Sequence, residues 1–208
     1  MRSVPLWALV SSGCAPVLLI TGWAVAGHLQ GSAYDPVTQT ISVLAAYGAP
    51  GFWVMTSALL GLGVCHLVTA WGLRAAVSAG RLALAGGGVA ALLVALVPAP
   101  SSGGSLRHGS LAAAGFLLLA LWPVLAARRD PSAPWGLRPV PALAATALMG
   151  AGALWFLVEI NRHGASGVAE RMVTCVQALW PLVVVASCLV RSEDTAPVAE
   201  DDLADEGR

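Results

Sequence analysis

Six long apolar segments dominate this sequence, and each is close to the length that a helix needs to cross a lipid bilayer. A transmembrane helix takes about 20 predominantly apolar residues. Inside lipid, each segment must satisfy its own backbone hydrogen bonds, and a helix does so. The segments are residues 5–26, 51–73, 82–98, 109–127, 140–158 and 168–190. The sequence therefore predicts an all-α fold, a polytopic membrane bundle of six transmembrane helices.

The composition excludes an ordinary soluble domain. Hydrophobic residues make up 57% of the chain and charged residues only 11%, whereas charged residues are about 25% of soluble domains. The first segment follows Arg2 and ends in Ala24-Val25-Ala26, a pattern typical of a cleaved signal peptide. Because its apolar run is longer than the usual signal-peptide core of about 7–15 residues, we expect it to be retained as a helix.

Arginine placement predicts the orientation of the bundle, because cytoplasmic loops carry an excess of basic residues. If the amino terminus lies inside, the cytoplasmic segments hold most of the arginines and the outer segments hold only Arg107, Arg162 and Arg171. Every basic residue is arginine, which favours a GC-rich bacterial genome. We therefore predict a multi-pass protein of the bacterial inner membrane with both termini in the cytoplasm.

The sequence divides into a transmembrane domain, residues 1–191, and an acidic tail, residues 192–208. Most of the acidic residues of the chain lie in this tail, which has few apolar side chains. Such a segment cannot bury enough apolar surface to fold. We expect a disordered cytoplasmic extension that can bind a protein partner, and we expect no nucleic-acid partner.

The first outer loop contains the longest polar insert between the apolar segments. Asp35 can cap a helix and Pro36 suits its first position. Apolar residues then recur at helical spacing through residues 36–47. Because this stretch is too short to cross a bilayer, we predict a short interfacial or re-entrant helix that lies on the bundle.

Ionisable side chains are concentrated on the outer side of the predicted bundle, where the outer loops share one face. A histidine beside a carboxylate is the minimal general acid/base pair, because the carboxylate fixes the tautomer and raises the basicity. Asp35, His108, Glu159 and Glu170 are the candidate catalytic residues, and Ser42, Arg107 and Arg171 are candidates for substrate binding. The alternative is a set of ion pairs that closes the loops over the bundle.

Trp180 is a further candidate for substrate binding. It lies in the middle of the last segment, beside Pro181, which bends a helix and frees a carbonyl. With Gln177 one turn earlier, this region can form a cavity wall, and the alternative is a kink that serves packing. Most of the other tryptophans lie near segment ends, as in an aromatic belt.

A metal site would have to combine His28, His108 and His163 with Asp35, a ligand set that zinc accepts. No pair of these residues has the spacing of two ligands on one helical face. We therefore predict no metal and no other cofactor.

Three different short motifs lie near the starts and ends of the apolar segments. They are Asp35 with Ile41-Ser42-x-Leu44, Pro98 followed by Arg107-His108, and Gly167-x-x-Glu170-Arg171. In this order they resemble the prokaryotic membrane-protein family of domain of unknown function 998, over roughly residues 5–190. The resemblance implies a six-helix fold and points to Asp35, Ser42, His108, Glu170 and Arg171, without assigning an activity.

Two functions remain open at this stage, and with them whether the chain is an enzyme. The first is an outward-opening polar cavity that binds or modifies a lipid-like or isoprenoid small molecule. Asp35 and His108 would be its acid and base, and Arg107 or Arg171 would hold an anionic group. Chemistry like that of a terpene cyclase is the most speculative form of this hypothesis. The second is a non-enzymatic component for transport, sensing or assembly in the membrane, with the acidic tail docking a partner.

Overall fold

A computed structural model describes residues 4–100 and 104–194, and these residues form helices joined by turns and loops, with no strand among them. Six helices are long and apolar enough to cross a membrane, as the sequence predicts. The α-helices are α1 (Leu6–Gln30), α2 (Ile41–Leu44), α3 (Phe52–Gly72), α4 (Ser78–Leu96), α5 (Leu106–Ala126), α6 (Pro139–Arg162) and α7 (Ser166–Asp194). The predicted six-helix membrane bundle is confirmed, and the chain is a multi-pass membrane protein.

The six long helices form a closed ring. Each packs against the long helix before it and the one after it, and α7 packs back against α1. The short helix α2 lies against α1, α3 and α7 at one end of this ring. The centre of the ring is therefore enclosed by helices from both halves of the chain.

Glycines allow the close approach of α3, α4 and α5. A Cβ atom on Gly63 would lie 2.7 Å from the Gly88 carbonyl oxygen, and one on Gly88 would lie 2.8 Å from the Gly63 carbonyl oxygen. A Cβ atom on Gly87 would lie 2.5 Å from the Leu119 side chain of α5. Small residues at helix contacts let backbones approach in membrane proteins, so the Gly86-Gly87-Gly88 run holds three helices together.

Three loops meet at one end of the bundle, which we call the loop end. Its segments are 31–51, the described parts of 97–105, and 163–165. The His108 ring at the start of α5 contacts both Val97 and Ser42, and the Val168 N–H donates to the Val37 carbonyl at 3.2 Å. The predicted sharing of one face by these loops is therefore observed.

The first loop is less helical than predicted. A single turn covers residues 36–39, Thr40 is extended, and α2 has only four residues. A continuous helix over 36–47 would need the carbonyls of residues 36–39 for its own hydrogen bonds. Instead, side chains and the backbone of α7 donate to those carbonyls. The predicted helix of residues 36–47 is thus wrong in extent, because contacts with α7 replace its internal bonds.

The opposite end of the bundle carries the arginine-rich segments. Arg128 forms an ion pair with Asp130 at 3.5 Å and donates to the Ala75 carbonyl at 3.1 Å. Helix α7 ends here at Asp194, so the first residues of the predicted tail are helical. The rest of the predicted acidic tail, 195–208, lies outside the described residues.

Candidate functional site

Arg171 fixes the first loop onto α7. Its Nη1 donates to the carbonyls of Pro36 at 3.0 Å and Gln39 at 3.2 Å, and to Gly167 of its own helix at 2.8 Å. Its Nη2 donates to the Tyr34 hydroxyl. Hydrogen bonds from a charged donor are about twice as strong as neutral ones. Arg171 is therefore an anchor of residues 34–39, and most of its donor capacity is directed at the protein itself.

Aromatic rings cover the same guanidinium. The Arg171 Cζ lies 5.7 Å from the centroid of the Trp23 ring and 5.8 Å from that of Tyr34, within the range of a cation–π contact. Burial raises the pKa of the Tyr34 phenol, and the nearby guanidinium opposes this rise. Tyr34 therefore remains a neutral phenol that accepts from Arg171.

Glu170 ties the start of α2 to α7. Its side chain is only 6% exposed, and Oε2 accepts the backbone N–H of Ile41. The first N–H groups of a helix have no partner within the helix, so the carboxylate provides one. Ser42 is the next residue, and its position is fixed by this contact.

His108 and Ser42 form a hydrogen-bonded pair beside Glu170. The His108 Nδ1 lies 2.8 Å from the Val97 carbonyl oxygen, and Nε2 lies 3.0 Å from the Ser42 Oγ. A carbonyl oxygen can only accept, so Nδ1 carries the proton in the neutral ring and Nε2 is left as the acceptor. The Ser42 hydroxyl therefore donates to His108. His108 itself is 8% exposed.

A cavity of about 90 Å³ extends from Ser42 into the centre of the helix ring. Its walls are apolar side chains and small residues of α1, α3, α4 and α5, including Leu19, Leu62, Ala91 and Gly115. Its polar lining consists of Ser42, Glu170, Thr174 and Gln177. The cavity therefore presents the Ser42 hydroxyl, already bonded to an imidazole, to any apolar molecule that enters it.

This arrangement has the parts of a nucleophile and base. A serine hydroxyl is a weak nucleophile until an adjacent base accepts its proton. The base needs a second partner that orients it, and the Val97 carbonyl occupies that place. Ser42 and His108 were selected from the sequence, but among the described residues the ring partners of His108 are the Val97 carbonyl and the Ser42 hydroxyl, not the predicted carboxylate.

Asp35 lies apart from this pair, on the exposed surface of the loop. Its Oδ2 accepts the Thr38 hydroxyl at 2.7 Å and its Oδ1 accepts the Val37 N–H at 3.0 Å. These two bonds hold the pKa of the Asp35 carboxyl below its ordinary value, the Thr38 bond being the larger cause. Asp35 therefore caps the 36–39 turn.

Other sequence candidates lie outside the cavity. Glu159 accepts the Trp155 indole N–H at 3.2 Å and the Ala165 N–H at 2.7 Å, and so closes the turn between α6 and α7. Arg107 is exposed at the start of α5. Trp180 contacts the Trp135 ring, with centroids 6.0 Å apart, and does not line the cavity. Gln177, one turn before it, does.

The alternative of loop-closing ion pairs is also not seen at the loop end. The ion pair between Arg128 and Asp130, at 3.5 Å, lies at the opposite end of the bundle. Among residues 4–100 and 104–194, no group of three or more His, Cys, Asp or Glu side chains is placed to hold a metal ion. The loops are instead closed by hydrogen bonds that Arg171 and Ser166 donate and by one that Glu170 accepts.

The contributions of Val97 and Tyr34 could not be identified from the sequence. Val97 acts through its backbone carbonyl, which every residue possesses. Tyr34 precedes Asp35 and could have been noted as a phenol next to a turn, but its partner Arg171 lies 137 residues away. Thr174 lies one turn after Glu170, and helical spacing from that residue was the signal that could have found it.

Comparison with known proteins gives one match. No curated protein and no solved structure matches the chain. The model of a family described as protein of unknown function (DUF998) matches residues 14–187, which include Ser42, His108, Glu170 and Gln177. On this match, which covers most of the sequence, the chain belongs to the DUF998 family of membrane proteins.

Proposed function

We propose that this protein is a membrane-embedded serine hydrolase or acyltransferase that acts on an ester of a lipid-like molecule. The observation that carries the proposal is the pair of hydrogen bonds made by His108 at the end of an apolar cavity. Its Nε2 lies 3.0 Å from the Ser42 Oγ, and its Nδ1 lies 2.8 Å from the Val97 carbonyl oxygen. A serine hydrogen-bonded to an oriented imidazole is the arrangement that nucleophilic catalysis requires.

The reaction follows from the tautomer of His108. As the Ser42 oxygen attacks the ester carbonyl carbon, its proton passes to His108 Nε2. His108 is then an imidazolium whose Nδ1–H still donates to the Val97 carbonyl. It returns the proton to the departing alkoxide oxygen, so the alcohol leaves and the acyl group stays on Ser42. Water, or a second alcohol, then attacks the acyl carbon while His108 accepts its proton. The acyl–Ser42 bond breaks as His108 returns that proton to the Ser42 oxygen, which releases the carboxylic acid or the new ester and restores Ser42.

Glu170 is a positioning residue in this scheme. Its carboxylate holds the N–H of Ile41, so it fixes the residue next to the nucleophile. Arg171 acts one step further away, by holding residues 34–39 against α7. A misplacement of about 1 Å in a reacting group can cost about a hundredfold in rate, so both residues influence turnover through the position of Ser42.

The lining of the cavity favours an apolar chain. Its walls are apolar apart from four polar side chains, Ser42, Glu170, Thr174 and Gln177. The three that belong to α7 are spread over about 10 Å of that helix. An acyl chain, which is narrow along its length, matches an apolar space with one polar edge.

The arginine distribution supports an outward-facing site. Arg74, Arg128, Arg129 and Arg138 lie at the end opposite the loop end, and cytoplasmic segments carry the excess of basic residues. The substrate would then come from the outer leaflet of the cell membrane, with both termini of the chain in the cytoplasm.

A fluorophosphonate probe tests the proposal, because it reacts covalently with activated serines. We expect the purified full-length protein to be labelled and to hydrolyse p-nitrophenyl octanoate. Ser42→Ala should lose both properties, and His108→Ala should lower the rate by about 10²–10⁴-fold. Ser110→Ala is the matched control, since Ser110 is exposed on α5 and donates to its own helix. Equal labelling of the wild type and Ser42→Ala would refute the proposal.

The same experiment separates this proposal from a non-enzymatic role. A transport, sensing or assembly component would keep its cellular function in Ser42→Ala. An enzyme of the proposed kind would lose that function in the variant while the protein is still inserted and purified normally. Docking through the acidic tail stays a prediction, and deletion of residues 192–208 tests it.

A further inference from the structure

A row of polar side chains continues from the proposed nucleophile into the middle of the bundle. Glu170, Thr174 and Gln177 lie on one face of α7 and line the same cavity. From Glu170 to Gln177 the helix rises about 10 Å. The remaining lining is almost entirely apolar, so these side chains define one polar edge along a narrow space.

Gln177 differs from the other two in its hydrogen bonds. Thr174 donates its hydroxyl to the Glu170 carbonyl at 2.8 Å, within its own helix. The Gln177 Nε2 donates to the Phe116 carbonyl of α5 at 3.0 Å. In the described part of the chain, no bond is made to the Gln177 amide oxygen. Since the side chain is 2% exposed and lines the cavity, a ligand can reach that oxygen only from inside it.

We infer that the cavity binds an acyl chain that carries a hydroxyl group far from the ester, and that Gln177 selects this hydroxyl. The identity of the ligand as an acyl chain rests on the proposed function. The hydroxyl would donate to the Gln177 amide oxygen at the deep end of the cavity while the ester lies at Ser42. Gln177 is therefore a specificity-determining residue.

The physical reason is the cost of a buried polar group that loses its partner. A plain alkyl chain would exclude water from the amide oxygen and provide no hydrogen-bond donor in its place. Leaving a buried acceptor without a donor is unfavourable. A site built to bind a hydroxyl therefore discriminates against the analogue that lacks it. We expect the selectivity that depends on Gln177 to be about tenfold or more.

The rival explanation is that Gln177 only ties α7 to α5 through Phe116. Gln177→Met distinguishes the two, since it keeps the length of the side chain and removes both amide functions. Asn161→Met is the matched control, because Asn161 is an exposed amide outside the cavity and donates to the Leu157 carbonyl of its own helix. If Gln177→Met does not fold, Gln177→Asn serves instead, since it keeps an amide but withdraws it from the deep end.

Binding should be measured with methyl octanoate and methyl ω-hydroxyoctanoate by calorimetry, on full-length Ser42→Ala protein so that neither ester is consumed. The ratio of the two affinities is compared between proteins with and without Gln177→Met, which cancels the different partitioning of the ligands into micelles. We expect the ratio to shift about tenfold or more against the hydroxyl ester in Gln177→Met and to stay constant in Asn161→Met.

An unchanged ratio in Gln177→Met would overturn the inference, even if the wild type proves to be an esterase. Conversely, a ratio that depends on Gln177 in a protein whose Ser42 is never labelled would support the binding site and refute the chemistry at Ser42. The two failures are therefore distinguishable.

Discussion

Replacing Arg171 with methionine removes the side chain that holds the first loop on α7. Three of its hydrogen bonds cross to that loop, to the carbonyls of Pro36 and Gln39 and to the Tyr34 hydroxyl. A fourth bond, to Gly167, stays within α7. Methionine retains much of the apolar stem, so the change mainly removes the charge and its donors.

The size of the effect follows from these bonds. A hydrogen bond from a charged donor contributes about 1.5 kcal/mol at the low end of its range, which gives about 4.5 kcal/mol for three. Pro36 is exposed, so water replaces part of what is lost, and we expect a destabilisation of about 3 kcal/mol. For a chain of this size, that corresponds to a fall in Tm of about 6–12 °C.

Thermal unfolding in detergent, followed by tryptophan fluorescence, measures this change. Arg162→Met is the control, because it removes the same charge from an exposed residue at the same end of the bundle. Arg171→Lys should recover only part of the loss, since lysine has no planar fork of donors. A Tm for Arg171→Met that equals that of Arg162→Met would refute the role of Arg171 as an anchor.

Three further predictions concern single positions. The pKa of Asp35 is lowered in the folded protein. The contribution of Asp35 to stability is therefore present above the ordinary carboxyl pKa of about 3.9 and is lost as the pH falls through the lower folded value. Measurements of Tm against pH should show this loss in acid, and Asp35→Asn should remove it. Both ring nitrogens of His66 are buried with no hydrogen-bond partner in the described residues, so His66→Leu should leave Tm unchanged or raise it, and a marked fall would contradict this reasoning. A Cβ on Gly167 would collide with the carbonyl oxygens of Pro36 and Gln39, so Gly167→Ala should speed hydrogen exchange in the loop, while Gly150→Ala, which meets nothing within 4 Å, should not.

The spanning helices could be predicted from the sequence because their cause is local. Each long apolar segment must become a helix in lipid, whatever its neighbours do. The end of each helix lies within a few residues of its predicted limit, as with residues 140–158 and α6 (Pro139–Arg162). The prediction of a helix over residues 36–47 was wrong in extent because carbonyls of the first loop accept hydrogen bonds from α7, and no local sequence pattern indicates such a contact.

The candidate site was predicted residue by residue but not as an arrangement. Ser42, His108 and Glu170 were named as candidates because they are rare polar residues near segment ends. Their pairing depends on which loops touch, so the sequence favoured Asp35 as the partner of His108 where the structure places Ser42 and the Val97 carbonyl. Trp180 was expected at a cavity wall, but it packs on Trp135, which lies between α5 and α6 in the sequence.

The contact between Ile41 and Glu170 joins residues 129 positions apart, and this separation has a consequence for biosynthesis. When the ribosome has delivered the first five spans to the translocon, the nascent chain already contains Ser42 and His108 but not the segment that secures α2. The contact that positions Ser42 therefore forms only after the sixth span has entered the bilayer, and a chain that stalls or is cleaved before α7 lacks it.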